Sequence, residues 1–275
     1  MNFIDYIMDH TEVIIERPKA YGLFHILFMV ISLAVMITVC YLLRNSSEKR
    51  FRTVMLITSG ILIFGEIYKQ LYYYYSVGVD GYDWDMFPFQ LCSVPMYLSL
   101  IVGLMKKSKV RDIMCEYLVS IGFLGGIMAY LEPSGILHGD LFKLIHATIW
   151  HALLIFIALF ILFNNQGCIK LKNYKKSILI FGFVVLTATI LNLAFIEKAR
   201  NGFNMCYISP FRNTPLAVFN SFDSFFEAHL GLYFGRIVSI HIYLFAVILG
   251  GFVIYLISYY LKKLLSKNKK MAASY

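Results

Sequence analysis

The chain has 275 residues, of which 59% are hydrophobic and only 15% charged, with a formal net charge of +9. A soluble domain carries about a quarter charged residues, so this composition excludes an ordinary soluble enzyme and points to a polytopic membrane protein. The positive charge does not mark a nucleic-acid partner, because its lysines and arginines cluster in short loops between apolar runs, where they orient a chain in the bilayer.

The first stretch, MNFIDYIMDHTEVIIERPKAYG, does not read as a secretory leader. Asp5, Asp9, Glu12 and Glu16 stand where a leader needs basic residues, and the apolar core is interrupted. Residues 1–21 are expected to form an interfacial helix ending near Pro18. Apolar runs then predict seven spans in one all-α membrane domain of 1–275, at about 22–43, 53–76, 87–105, 113–131, 141–163, 177–196 and 236–262.

Alternate loops are basic. Arg44, Lys49, Arg50 and Arg52 follow span one, Lys106, Lys107, Lys109 and Arg111 follow span three, and Lys170, Lys172, Lys175 and Lys176 follow span five. A basic tail closes residues 236–275, whereas the opposite loops hold Asp80, Asp83, Asp85, Glu132 and Asp140. This alternation places the N-terminus outside and the C-terminus inside. After the six-span bundle of 22–196, residues 197–235 form a long aromatic connection, in which LAVFNSFDSFFEAHLGLYF reads as a re-entrant or interfacial cap.

Intramembrane polar residues gather at one depth. Glu66, Lys69 and Gln70 fall in the outer half of span two, Gln90 and Cys92 open span three, and His146, Thr148 and His151 lie in the outer half of span five. Asn192 closes span six, and His241 begins span seven. Ionisable side chains in a bilayer face a cavity or a partner, so these residues predict a polar cavity in the outer half of the bundle.

Blander readings stand beside this one. Glu66 and Lys69 are three apart and can neutralise each other, while Asn192 can serve as interhelical glue. His25 and His241 sit near the interface, where an amphipathic ring needs no chemistry. His146 and His151 lie about 140° apart around a helix and cannot both point squarely into one small site; His151 is the deeper candidate.

The five cysteines show no CxxC and no His/Cys cluster at zinc spacing, so no metal or cofactor is expected. Cys40, Cys115 and Cys168 lie toward the inside. Cys92 and Cys206 lie outside, where a disulfide between them is open. A thiol, histidines and amides at one depth form the inventory for thiol-mediated acyl transfer.

Four stretches together resemble the bacterial YwaF-like integral membrane proteins: FGEIYKQLYYYYSVGVDGYDWDMFPFQLCSVPMYLSLI, YLVSIGFLGGIMAYLEPS, HATIWHALLIF and NMCYISP. The matching positions are Glu66, Pro88, Gln90, Leu91, Cys92, Gly125, Pro133, His151, Asn204 and Tyr207. The chain departs from the motif at Phe89-Gln90, where the family carries Leu-His, and its late motif is shortened before Pro210. That family is similar to the eukaryotic transmembrane protein 164 group, acyltransferases that use a membrane cysteine.

The resemblance implies a multi-pass protein of the bacterial cell membrane. It implies a thiol-dependent lipid acyltransferase with Cys92 at the nucleophile position, and the one-depth polar cluster extends this to a CoA-independent phospholipid acyltransferase with His151 as base. Gln90, Asn192, Glu66 and His146 would position groups or hold the oxyanion, and Lys69, Asn204, Tyr207 and His241 would bind substrate. The partners would be membrane phospholipids and lysolipids. A small-solute transporter using the same cavity, and a non-catalytic lipid-binding seven-helix protein, are the alternatives.

Overall fold

The computed structural model describes residues 6–7, 10–76, 84–167, 169–196, 203–214 and 216–272. Asp5, Asp9, Asp80, Asp83 and Cys168, named above, lie outside the described residues. The architecture is all-helical: α1 (Leu23–Leu42), α2 (Glu48–Ser76), α3 (Val94–Leu104), α4 (Lys109–Leu118), α5 (Ile121–Leu131), α6 (Leu141–Phe163), α7 (Tyr174–Phe195), α8 (Ala217–Leu230) and α9 (Leu232–Ala272). Six stretches among the described residues are long and apolar enough to cross a membrane, with α4 and α5 counting as one of them and α3 as a shorter apolar helix.

From Ala152 onward α6 is apolar on all sides because that half runs through the middle. Leu154, Ile155, Ile157, Ala158, Phe160 and Ile161 are all buried within it. By contrast, α1 and α7 expose Val30, Ile31 and Val35 and Leu179, Phe183 and Ile190, an apolar face suited to lipid tails. Asp140 caps the N-terminus of α6 by accepting from Lys143 N at 2.9 Å. At Gly126, α5 comes so close to α6 that an added Cβ would stand 2.8 Å from Ile155 Cγ1 and 3.2 Å from the His151 carbonyl.

Three expected elements take a different form. The third span, 87–105, is helical only over Val94–Leu104, 11 residues. At 1.5 Å per residue such a helix is about 16 Å long, roughly half the bilayer core of about 30 Å. The preceding residues, with Pro88 among them, form turns instead.

The fourth span breaks at Val119–Ser120, where Ser120 adopts φ −123°, ψ −93°. The Val119 carbonyl there accepts from Ser258 Oγ on α9 at 3.0 Å, as irregular backbone inside a membrane requires. The N-terminal segment is helical only as far as Thr11 and continues past Glu12 in non-helical backbone. It then docks on the 132–140 loop: Ile15 N donates to Gly139 O at 2.9 Å, and Arg17 Nε donates to Leu137 O at 2.7 Å. Helix is lost there because the backbone pairs across to another segment.

Arg111, read above as a loop charge, is fully buried. Its guanidinium forks onto the Glu48 carboxylate and donates to Gln166 Oε1 at 2.8 Å. His25, read as interfacial, is also fully buried, and its Nδ1 accepts from Tyr21 N at 3.2 Å.

The connection before the last span contains α8, which folds back on α9 as a helical hairpin. Gly231 turns the corner at φ 80°, and Arg236 Nε pairs with Glu227 Oε1 at 2.5 Å. A Cβ on Gly235 would stand 2.5 Å from the Phe226 carbonyl. Gly235→Ala is therefore expected to cost about 1–3 kcal/mol of stability through overpacking against backbone. Gly60→Ala, where nothing lies within 4 Å, should be neutral or mildly stabilising. Thermal unfolding of both variants in detergent micelles checks the pair.

Candidate functional site

Between α2, α6 and three irregular segments lies a cavity of about 430 Å³. The segments are residues 84–93, the 132–140 loop, and the turn at 203–214. Glu66, Lys69, Gln90, Cys92, His146, His151, Asn204 and Tyr207 all line it. Asn192 and His241 do not. Asn192 is buried behind the 203–214 turn, and His241 is exposed on α9 with its ring bonded to its own helix at Ile237 O, 2.6 Å.

Cys92 reaches the cavity because residues 84–93 are tied down on both flanks. Gln70 Nε2 donates to Met86 O at 2.7 Å, and Tyr97 Oη to Pro88 O at 2.8 Å. Trp150 Nε1 on α6 donates to the Cys92 carbonyl at 3.0 Å. The chain then enters α3 at Val94, so Cys92 stands just ahead of a helix N-terminus. The partial positive charge of that terminus favours an oxyanion formed beside it.

The amide side chains hold the backbone around the thiol. Gln90 Oε1 accepts from Cys206 N at 2.8 Å, while its Nε2 donates to Asn204 O at 3.1 Å. Asn192 brackets Met205 in the same way, accepting from its N–H at 2.6 Å and donating to its carbonyl at 3.1 Å. Asn204 Oδ1 accepts from Ser209 N at 2.9 Å, and its Nδ2 donates to Asn213 O at 3.3 Å. Between these clamps Cys206 and Tyr207 take left-handed φ values of 54° and 60°, each costing about 1–3 kcal/mol unless surrounding bonds enforce it. Cys92 and Cys206 are both free thiols, the latter donating to Phe89 O at 3.4 Å.

Both histidines border the cavity, which is broad enough to receive two rings 140° apart on α6. His151 Nδ1 lies 2.8 Å from the Ala147 carbonyl. A carbonyl only accepts, so Nδ1 carries the proton and Nε2 keeps its lone pair. His146 stacks on Trp150 with centroids 5.3 Å apart, and its buried Nε2 has no hydrogen-bond partner. Glu66 Oε1 pairs with Lys69 Nζ at 2.7 Å and accepts from Gln70 at 2.5 Å. Its other oxygen, Oε2, is buried without a partner.

His138, Trp150, Tyr73 and Arg212 also line the cavity, and sequence reasoning missed them. Trp150 stood inside the HATIWHALLIF stretch, but nothing in its spacing pointed to the Cys92 carbonyl. His138 and Arg212 come from connections whose place is set only by the hydrogen bonds above. Burial holds the His138 imidazole below its ordinary pKa, and the nearby Lys143 and Arg17 push in the same direction. Among the described residues, no group of three or more His, Cys, Asp or Glu side chains is arranged to hold a metal ion.

Asn192→Leu strands the N–H of Met205 in a buried setting and leaves its carbonyl only the 3.4 Å bond from Ile208 N. It is expected to cost about 1–3 kcal/mol for the stranded group, whereas the exposed His241→Leu should stay within about 0.5 kcal/mol. Unfolding midpoints in micelles measure both.

A family model described as the TMEM164 family matches residues 20–259. No curated protein and no solved structure matches the chain. The match spans most of the sequence and takes in every wall of the cavity, so this multi-pass membrane protein belongs to the TMEM164 family.

Proposed function

We propose that the protein is a thiol-dependent acyltransferase that moves an acyl chain between membrane lipids through a thioester on Cys92. One observation carries the reading: Cys92, at the N-terminal end of α3, shares a cavity with His151, whose Nδ1 is committed to Ala147 O. His151 Nε2 takes the thiol proton, and the thiolate attacks an ester carbonyl of the donor lipid. The tetrahedral intermediate collapses with cleavage of the ester C–O bond, and His151 returns the proton to the departing lysolipid hydroxyl. In the second half a lysolipid hydroxyl attacks the thioester, His151 accepts its proton, and the Cys92 thiol is regenerated. CoA takes no part.

Helix α3 and its first turn stabilise the oxyanion. Gln90, Asn192 and Asn204 act by holding the backbone beside the thiol, and Glu66, Lys69 and Tyr207 contact substrate. His146, stacked on Trp150, supports the cavity wall, and His241 has no part. The alternation of basic and acidic loops supports a cavity that faces the outer leaflet, with the N-terminus outside.

The test uses purified protein with phospholipid vesicles and intact-protein mass spectrometry. Wild type should gain a hydroxylamine-labile acyl mass, and Cys92→Ala should gain none. His151→Phe should slow adduct formation by about 10²–10⁴-fold, while His146→Phe should keep at least about a tenth of the rate. Absence of the adduct on wild type would sink the proposal.

The Glu66–Lys69 pair inside the cavity favours a second reading, a carrier for a small polar solute. Cys92→Ser separates the two, since a carrier keeps its transport and the acyl enzyme loses turnover.

A further inference from the structure

An oxyanion at the start of α3 needs hydrogen-bond donors, and the backbone there supplies few. Ser93 N is committed to Gln90 O at 2.8 Å, and Met96 N donates to Ser93 O at 3.1 Å. Pro95, the second residue of the helix, has no N–H at all. From Ser93 to Met96, only Val94 keeps a backbone N–H with no bond among the described residues. Val94 is 5% exposed, and an orphan N–H in so buried a residue is rare without a functional reason.

Ser93 supplies a second donor. It stands at the N-cap of α3, where a serine oxygen ordinarily accepts from the second or third N–H of the helix. Here its side chain makes no such bond. The second N–H does not exist, and the third is turned to the Ser93 carbonyl. Ser93 itself has helical φ −85° and ψ −26°, unlike the extended backbone of a capping residue. Its hydroxyl is therefore left over from helix capping. Ser93 is 4% exposed and lines the cavity together with Cys92 and His151. The hydroxyl stands as a donor beside the Cys92 sulfur. The peptide that joins the two residues is pinned on both sides, its carbonyl by Trp150 Nε1 at 3.0 Å and its N–H by Gln90 O.

We propose that Ser93 is a further catalytic residue, whose Oγ–H joins the Val94 N–H in an oxyanion hole for esters attacked by Cys92. The proposal rests on the acyl-transfer reading. As the S–C bond forms, the carbonyl π pair moves onto oxygen, and the two donors hold that O⁻. Ser93 keeps its proton throughout. When the pair returns, the ester C–O bond breaks, and the departing oxygen takes its proton from His151. The same donors serve the second half, where a hydroxyl attacks the thioester carbon.

The test separates attack on a carbonyl from reactivity of the thiol. Full-length protein in detergent micelles is treated with p-nitrophenyl hexanoate, which acylates Cys92 through an oxyanion. A parallel sample receives iodoacetamide, which alkylates the thiol without one. Mass spectrometry of the peptide carrying Cys92 reads both rates. Ser93→Ala should slow acylation by about 10²–10³-fold and alkylation by less than about tenfold. Ser93→Thr keeps the hydroxyl and should retain at least about a tenth of the wild-type acylation rate. Acylation unchanged in Ser93→Ala, or slowed by the same factor as alkylation, overturns the proposal. So does a Ser93→Thr variant no faster than Ser93→Ala.

Failure of the lipid acyl-transfer reading shows separately. Wild type would then be acylated by the activated ester and gain no acyl mass from phospholipid vesicles, and the Ser93 comparison would still decide. Absence of Cys92 acylation by either ester overturns both.

Discussion

Every backbone N–H and C=O that leaves a helix inside a bilayer must find a partner in the protein. The cavity end of this bundle is built around that requirement. Two segments without α-helix, residues 84–93 and 203–214, meet there, and three amide side chains bond to their backbone. Gln90 ties one segment to the other, Asn192 anchors the turn from α7, and Asn204 folds the loop beyond it. These bonds enforce the left-handed Cys206 and Tyr207. Without them the strain of two such residues, about 1–3 kcal/mol each, would have no offset.

The same requirement shapes the rest of the bundle. Shortening α3 to a half-span puts Cys92 at a helix start instead of in a helix interior, where its sulfur would only pack. The break between α4 and α5 is stitched by Ser258, and at the other end of the bundle Arg111 enters the interior because Glu48 and Gln166 take up donors of its two terminal nitrogens. α6 joins the parts. It contributes His146, Trp150 and His151 to the cavity, holds the Cys92 carbonyl, and receives α5 closely at Gly126.

Much of the site was legible because cost at membrane depth is readable residue by residue. Glu66, Lys69, Gln90, Cys92, His146 and His151 stand out against apolar runs, and all six border one cavity. The helical angle between His146 and His151 did not keep either from the cavity wall, since it says nothing about cavity width. Gln90 and Asn192 were noticed for their polarity, yet their hydrogen bonds join residues 116 and 13 positions apart, and no local pattern encodes those pairings. His138 and Arg212 lie in connections, where polar residues are ordinary and carry no signal.

The sequence by itself determined the class of molecule, the approximate positions of the spans and the band of polar residues, because hydropathy and charge act through local composition. Only the tertiary structure decided that the third span is half a helix, that Arg111 is buried, and that two loops bring His138 and Arg212 to the thiol's cavity. These outcomes depend on which distant group satisfies which backbone atom, and that is settled by packing of the whole bundle.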